Sequence, residues 1–249
     1  MTSAKIIPKK WVLIRGLIRS KYHWGSFAEK LKNELNSEAV ECVELAGNGY
    51  LSDQFTPDNI NQALLELQMQ LKFDRDCYGI IGISLGGMLA AQWAQMNPKE
   101  VSHLVLINSS SALSPFYKRL NPAQYGGIIK NLALHNSADI EKFILSATSN
   151  KKENWLPILK DYTEFQQKHP VSLNNFIQQL KLAAQVDFSV IPKSHNLILT
   201  SKADRLVHYE CSQKIAEAWQ CSIKYHTTAG HDLPLDDANW VIQSIKDFT

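Results

Sequence analysis

Apolar residues along this chain fall into two alternating patterns. Short apolar runs closed by Gly, Asn or polar clusters read as buried strands: Trp11 to Ile14, Cys42 to Leu45, Tyr78 to Ile83, Val101 to Asn108, Asn196 to Thr200 and Ser222 to Thr227. Between them apolar residues recur at helical spacing. Ser26 and Glu29 form an S-x-x-E pattern ahead of Phe27, Leu31 and Leu35 on one face, which predicts a capping box. Thr56 is the expected N-cap of the next helix, with Pro57 at its first position and Ile60, Ala63, Leu64, Leu67 and Leu71 on its buried face. A third helix runs from Gly86 to Met96 and stops at Asn97-Pro98. Two more are expected at Cys211 to Trp219 and around Trp240, Val241, Ile245 and Phe248.

Strands alternating with helices predict an α/β fold with a mostly parallel central sheet and helices on both faces. The rhythm breaks between Ser111 and Val190, where the pattern is helical and aromatic residues recur, among them Phe116, Tyr117, Tyr125, Phe143, Trp155, Tyr162, Phe165, Phe176 and Phe188. A stretch of that length is too long for an ordinary loop. The expected organisation is a core of residues 1–110 and 191–249 interrupted by a helical cap of residues 111–190.

Composition narrows the function classes. The 249 residues are 45% hydrophobic and 20% charged, as in ordinary globular domains, and the net charge of +2 is too small to argue for nucleic acid. No run approaches the roughly 18 apolar residues of a membrane span. The apolar run Trp11 to Ile14 is shorter than the roughly 7–15 residues of a signal-peptide core. Cys42, Cys77, Cys211 and Cys221 form no CxxC pair, which predicts reduced, mostly buried thiols in a cytoplasmic protein. His23, His103, His135, His169, His195, His208 and His226 show no metal-ligand spacing. Of these, His23 is the one placed near an expected site entrance.

Gly82-Ile83-Ser84-Leu85-Gly86 has G-x-S-x-G spacing between an expected strand and an expected helix. A serine on so sharp a turn is exposed and strained, and the backbone crowding around it favours glycine two positions to either side. The N–H of Leu85 then lies at a helix N-terminus, where developing negative charge is favoured. A serine hydroxyl is a weak nucleophile at neutral pH and needs a base held by a third group. Asp204 follows the strand ending at Thr200, and His231 follows the next strand, both where loops gather at the carboxyl ends of parallel strands. That arrangement predicts Ser84 Oγ within about 3.5 Å of one His231 ring nitrogen, with the other facing Asp204.

These pieces resemble the α/β-hydrolase superfamily over nearly the whole chain. The resemblance is carried by Arg15-Gly16-Leu17, by Glu44-Leu45-Ala46-Gly47-Asn48-Gly49, by the Ser84 turn, by the Asp204 loop with Val207, and by Gly230-His231. In detail the chain resembles small bacterial capped carboxylesterases, the group that includes pimeloyl-carrier-protein methyl ester esterases and menaquinone-pathway enzymes of this fold. The resemblance implies a Ser84–His231–Asp204 triad, an oxyanion hole at the N–H groups of Leu17 and Leu85, ester or thioester cleavage, and no metal or organic cofactor. Where the family usually has His-Gly, this chain has Arg15-Gly16, so Arg15 either pairs with a structural carboxylate or meets an anionic substrate group. Arg15 and Trp24 are the candidate substrate contacts. Nine Lys/Arg against six Asp/Glu in residues 111–190 are compatible with an acyl-carrier protein as partner, although a solvated helical surface is the better account of them. Two other functions stay open: a lyase of the menaquinone-pathway type on the same triad, and a ligand-binding protein of this fold without turnover.

Overall fold

The computed structural model describes residues 7–124, 126–127 and 136–249, so the predicted cap aromatic Tyr125 and His135 lie outside the described residues. Six strands form one parallel sheet in the order β2-β1-β3-β4-β5-β6. They are β1 (Lys10–Ile14), β2 (Ala39–Val43), β3 (Tyr78–Ile83), β4 (Val101–Ile107), β5 (His195–Ser201) and β6 (Ser222–His226). Helices cover both faces. Those flanking the sheet are α1 (Phe27–Glu34), α2 (Ile60–Gln68) and α3 (Leu85–Met96). Between β4 and β5 come α4 (Phe116–Arg119), α5 (Ser137–Thr148), α6 (Lys152–Trp155), α7 (Leu159–Lys168) and α8 (Leu173–Gln185). The chain ends with α9 (Glu210–Trp219) and α10 (Leu233–Phe248).

Side chains alternate across a strand, so a strand buried on both faces feeds two cores. Val12 and Ile14 of β1, Ile80 of β3, Leu104 and Leu106 of β4 and Ile198 of β5 pack with α2, α3 and α9 on one face. Their neighbours Trp11, Leu13, Ile81, Ile83, Val105, Ile107, Leu197 and Leu199 pack with α1 and α10 on the other. At roughly 1.5–3 kcal/mol for each large apolar side chain taken out of water, this double-sided burial is the main force holding the sheet.

Local details depart from the sequence expectations in three places. β2 lies three residues earlier than expected, because the Lys10↔Ala39 register pairs the half-buried Ala39–Glu41 segment with β1. Ser26 makes no capping bond; the capping box forms instead between Ser20 and His23, on the 3-10 turn Lys21–Trp24. Asn59 rather than Thr56 caps α2, accepting from Asn61 N at 2.8 Å, while the Thr56 hydroxyl donates to Ala46 O at 2.7 Å. Of the four free cysteines, Cys211 is buried and Cys77 is exposed, a more open set than predicted. No helix among the described residues is long and apolar enough to cross a membrane.

Helix α3 approaches β1 and β3 so closely that two positions admit no side chain. A Cβ on Gly86 would stand under 3.0 Å from the carbonyl oxygens of Ile14 and Arg15, and one on Gly82 would collide with the backbone of Gly86 and Gly87. Backbone cannot rotate aside as a side-chain tip can. Gly86→Ala should therefore cost about 3 kcal/mol or more, at or above the upper end of ordinary overpacking. Gly126→Ala, with nothing within 4 Å, should stay within about 0.5 kcal/mol of the parent. Urea unfolding of both variants measures the contrast, and a Gly86→Ala protein as stable as the Gly126→Ala protein would contradict it.

Candidate active site

Ser84 is the residue between β3 and α3, with φ 54° and ψ −119°, a conformation that is strained for any residue with a Cβ. The turn is held by its own backbone: Ser84 N–H donates to Ile107 O at 2.9 Å, and Ser84 O accepts from Gly87 N at 3.0 Å and from Ser109 Oγ at 2.7 Å. These bonds leave the hydroxyl free, since Ser84 Oγ makes no hydrogen bond among the described residues. Leu85 opens α3, so its N–H has no intrahelical acceptor.

Asp204 follows β5, and its carboxylate is oriented by two backbone donors: Leu206 N at 2.8 Å and Val207 N at 3.0 Å, both to Oδ1. Oδ2 lies 2.7 Å from His231 Nδ1, with the Asp204 side chain 1% exposed. A carboxylate at that distance selects the tautomer with a proton on Nδ1, which leaves Nε2 as the basic nitrogen. Ser84 and His231 line the same cavity. The hydrogen bond expected on the Asp204 side of the imidazole is formed, while the Ser84 hydroxyl makes none to the ring. Serine–histidine contacts of this kind are often loose without substrate and tighten when it binds.

Sequence reasoning missed the residues that hold the His231 loop. Asp236 accepts from Gly230 N at 2.6 Å and Asn150 N at 3.0 Å through Oδ2, and from Ser149 Oγ through Oδ1. Asn108, at φ 46° just after β4, donates through Nδ2 to His231 O at 2.7 Å and accepts Ser201 N at 2.8 Å on Oδ1. One side chain thus ties the end of β4 to the end of β5 and to the His231 backbone. A polar residue ending an apolar strand was the only sequence signal for Asn108. Asp236 resembled any first-turn helix acid.

Arg15 lines the cavity at Ser84, but its two terminal nitrogens are engaged by a protein carboxylate. Its guanidinium forms a bidentate pair with Asp232, Nη1 to Oδ1 at 3.2 Å and Nη2 to Oδ2 at 2.5 Å, with side-chain exposures of 4% and 7%. It also lies over the Trp24 ring at 4.9 Å from the centroid. Burial alone would raise the Asp232 pKa, but the Arg15 charge and hydrogen bonds overcome it and hold the carboxyl below its ordinary value. Trp24 and His23 line a different cavity, beside Tyr162 and Leu235, and neither lines a cavity with Ser84. The geometry therefore gives Trp24 to Arg15 rather than to a substrate. His23 is buried, and desolvation together with the Arg19 and Arg15 charges holds its pKa well below the usual imidazole value. A second buried pair went unpredicted: Arg19 Nη1 donates to both oxygens of Glu141, at 2.9 and 2.8 Å, tying the first loop to α5.

Two cavities meet at Ser84. The smaller, about 70 Å³, is lined by Arg15, Gly16, Leu17, Ile18, Arg19, Phe143, Ile144, Thr148 and His231 among others. The larger, about 410 Å³, is lined by Leu85, Met88, Phe116, Arg119, Leu180 and Ala183 among others. Leu17, Ser84, Leu120, Phe176 and Leu206 line both. The segment between β4 and β5, helical with no strand among its described residues, therefore supplies much of the wall facing Ser84. Its α5 end is fastened to both loops: Asp232 N donates to Thr148 O at 2.8 Å, and Asn150 Nδ2 donates to Ala203 O and Thr228 O. No group of three His, Cys, Asp or Glu among the described residues is placed to hold a metal.

Sheet order, strained serine turn and loop placement together define an α/β-hydrolase architecture. The chain belongs to the alpha/beta hydrolase fold family, whose family model matches residues 12–237. Comparison with curated proteins finds no match. Among solved structures, it is similar to a lipase-esterase related protein from Clostridium acetobutylicum, with TM-score 0.70, 17% identity and coverage of 96% of this chain and 94% of that one. The alpha/beta hydrolase MGS-M2 from a Medee basin deep-sea metagenome library gives TM-score 0.74 at 17% identity, covering 100% and 91%. The 2-hydroxy-6-oxo-6-phenylhexa-2,4-dienoate hydrolase of Rhodococcus sp. strain RHA1 gives 0.72 at 17%, covering 96% and 89%. Identities this low establish a common fold.

The Arg15–Asp232 pair generates a stability prediction. Asp232→Ala strands a buried guanidinium and should cost about 3–5 kcal/mol near neutral pH, whereas Arg15→Met with Asp232→Leu should cost far less. The sign with pH follows from the lowered Asp232 pKa. The folded state holds the carboxylate ionised where the unfolded chain already binds a proton. Its stabilisation is therefore present above the ordinary value of 3.8 and is lost as pH falls through the lower folded value. Urea titrations from pH 7 to pH 3 should show the gap between parent and Asp232→Ala constant at first and shrinking only at the acid end.

Proposed function

We propose that this protein is a serine hydrolase that cleaves carboxylic esters or thioesters through an acyl-enzyme on Ser84. The observation that carries the reading is the combination at one cavity of a strained, hydrogen-bond-free Ser84 hydroxyl and a His231 ring held by Asp204 at 2.7 Å. In the proposed reaction Ser84 Oγ attacks the acyl carbon while His231 Nε2 takes the hydroxyl proton. The N–H groups of Leu17 and Leu85 receive the oxyanion, and the α3 N-terminus adds its partial positive charge. As the tetrahedral intermediate collapses, the bond to the leaving alcohol or thiol breaks and His231 gives that group the proton. A water molecule, deprotonated by His231, then attacks the acyl carbon, and the proton returns to Ser84 as the acid departs.

Segment 111–190 acts in this reading as a cap. Leu120, Phe143, Ile144 and Phe176 roof Ser84 with apolar side chains, which suits an apolar acyl or alcohol group and thins the water around the developing charge.

Ser84→Ala and His231→Ala should each lower kcat on p-nitrophenyl esters by at least ~10³-fold, and the double variant should lose little more than either single one. A fluorophosphonate probe should label the parent protein at Ser84 and leave Ser84→Ala unlabelled. Turnover of Ser84→Ala close to that of the parent would overturn the assignment.

A further inference from the structure

Three arginines line the cavities that meet at Ser84, and they are treated differently. Arg15 is paired with Asp232 and Arg19 with Glu141, each in a buried ion pair in which both carboxylate oxygens are engaged. Arg119 lines the larger cavity and is the only charged residue on its described wall. No carboxylate pairs with it, although every Asp and Glu of the chain lies among the described residues. Among the described residues its one hydrogen bond runs from Nη2 to Ala183 O at 3.4 Å, longer than an ordinary bond. A guanidinium presents five donors in a planar fork matched to the two oxygens of a carboxylate or phosphate. Half-buried beside Phe116, Leu180 and Ala183, it stands in surroundings that favour an anion over bulk water.

Resting on the ester-hydrolase reading above, we propose that Arg119 is a specificity-determining residue that binds an anionic group at the far end of an apolar substrate whose ester reacts at Ser84. The substrate class is then an apolar chain carrying an ester or thioester at one end and a carboxylate or phosphate at the other. The other described residues lining this cavity, among them Leu17, Met88, Leu120, Phe176 and Leu206, carry no charge to compete for the anion. The volume of about 410 Å³ is in the range of small-molecule sites.

Binding measured apart from turnover tests this directly. Calorimetric titration of full-length Ser84→Ala would use the monomethyl esters of straight-chain dicarboxylic acids of graded length, their dimethyl esters, and methyl esters ending in phosphate. At the best length the anionic compounds should bind at least about 10-fold tighter than the neutral diester, as a charge-assisted hydrogen bond implies. Adding Arg119→Gln should erase that preference, and Arg119→Lys should keep part of it. The tighter of the carboxylate and phosphate series identifies the group. Equal binding of charged and neutral compounds at every length, or a preference that survives Arg119→Gln, would overturn the proposal. Hydrolysis of the same esters by the parent protein separates it from the reading on which it rests. An Arg119-dependent preference in binding without turnover removes the hydrolase reading and leaves the anion site, whereas turnover with no charge preference does the reverse.

Discussion

Helix α3 lies against the ends of β1 and β3 at a distance that only glycine permits, and this close approach governs the rest of the site. Chain leaving β3 must reverse into α3 within one residue, because Gly82 and Gly86 stand backbone to backbone. Ser84 takes up the reversal at φ 54°. A residue held in that region costs of order 1–3 kcal/mol and persists only when its surroundings over-determine it. Here they do. Its N–H and C=O are held by Ile107, Gly87 and Ser109, while burial of Ile81 and Ile83 on one face and Leu89 on the other clamps the strand and helix on either side. The hydroxyl is the one group of Ser84 that the fold does not spend.

The remaining parts are aligned to this turn by polar groups placed where loops would otherwise drift. Asn108 ties β4, β5 and the His231 backbone together, and Asp236 ties the same loop to Asn150 just beyond α5. Asp204 meets the Leu206 and Val207 amides before it meets the imidazole, so its direction is set by backbone. Buried polar networks of this kind stabilise only when fully satisfied, and they then specify one arrangement. Arg205 adds a link from the Asp204 loop to the end of α5 through Ser146 O and Ser149 O. The end of α5 and the Asp204 and His231 loops are therefore joined by shared hydrogen bonds.

Strands β1, β3 and β5, the α3 helix and the Ser84, Asp204 and His231 positions were readable from sequence because each follows from a short local pattern. An apolar run ends in a small or polar residue, and the candidate site residue stands just past it. Element edges were less readable. β2 is half-buried along most of its length, so its pairing with Lys10 rather than its hydrophobicity decides where it starts. Ser26 and Thr56 carried plausible capping chemistry that nearby Ser20 and Asn59 fulfil instead, a competition that only tertiary packing decides. Arg15 stood open between a structural and a substrate role, and geometry gives its donors to Asp232, more than two hundred positions away. Glu141 as the partner of Arg19 left no local mark at all.

These two buried pairs also shape the field in which the proposed chemistry would run. Two guanidinium groups near a serine would, if unpaired, hold anions in the smaller cavity ahead of any reaction and favour a charged ground state as much as a transition state. Paired with Asp232 and Glu141, they leave that side of Ser84 close to electrically neutral. In the proposed reaction, stabilisation of an oxyanion would then fall to directed backbone donors at Leu17 and Leu85 and to the α3 terminus, which act on charge only where it develops. Arg119, with no carboxylate partner, is the only charged residue on the described wall of the larger cavity. In the proposed reaction, charge that would blunt catalysis at the reacting carbon is cancelled, while Arg119 keeps a charge available to select a substrate.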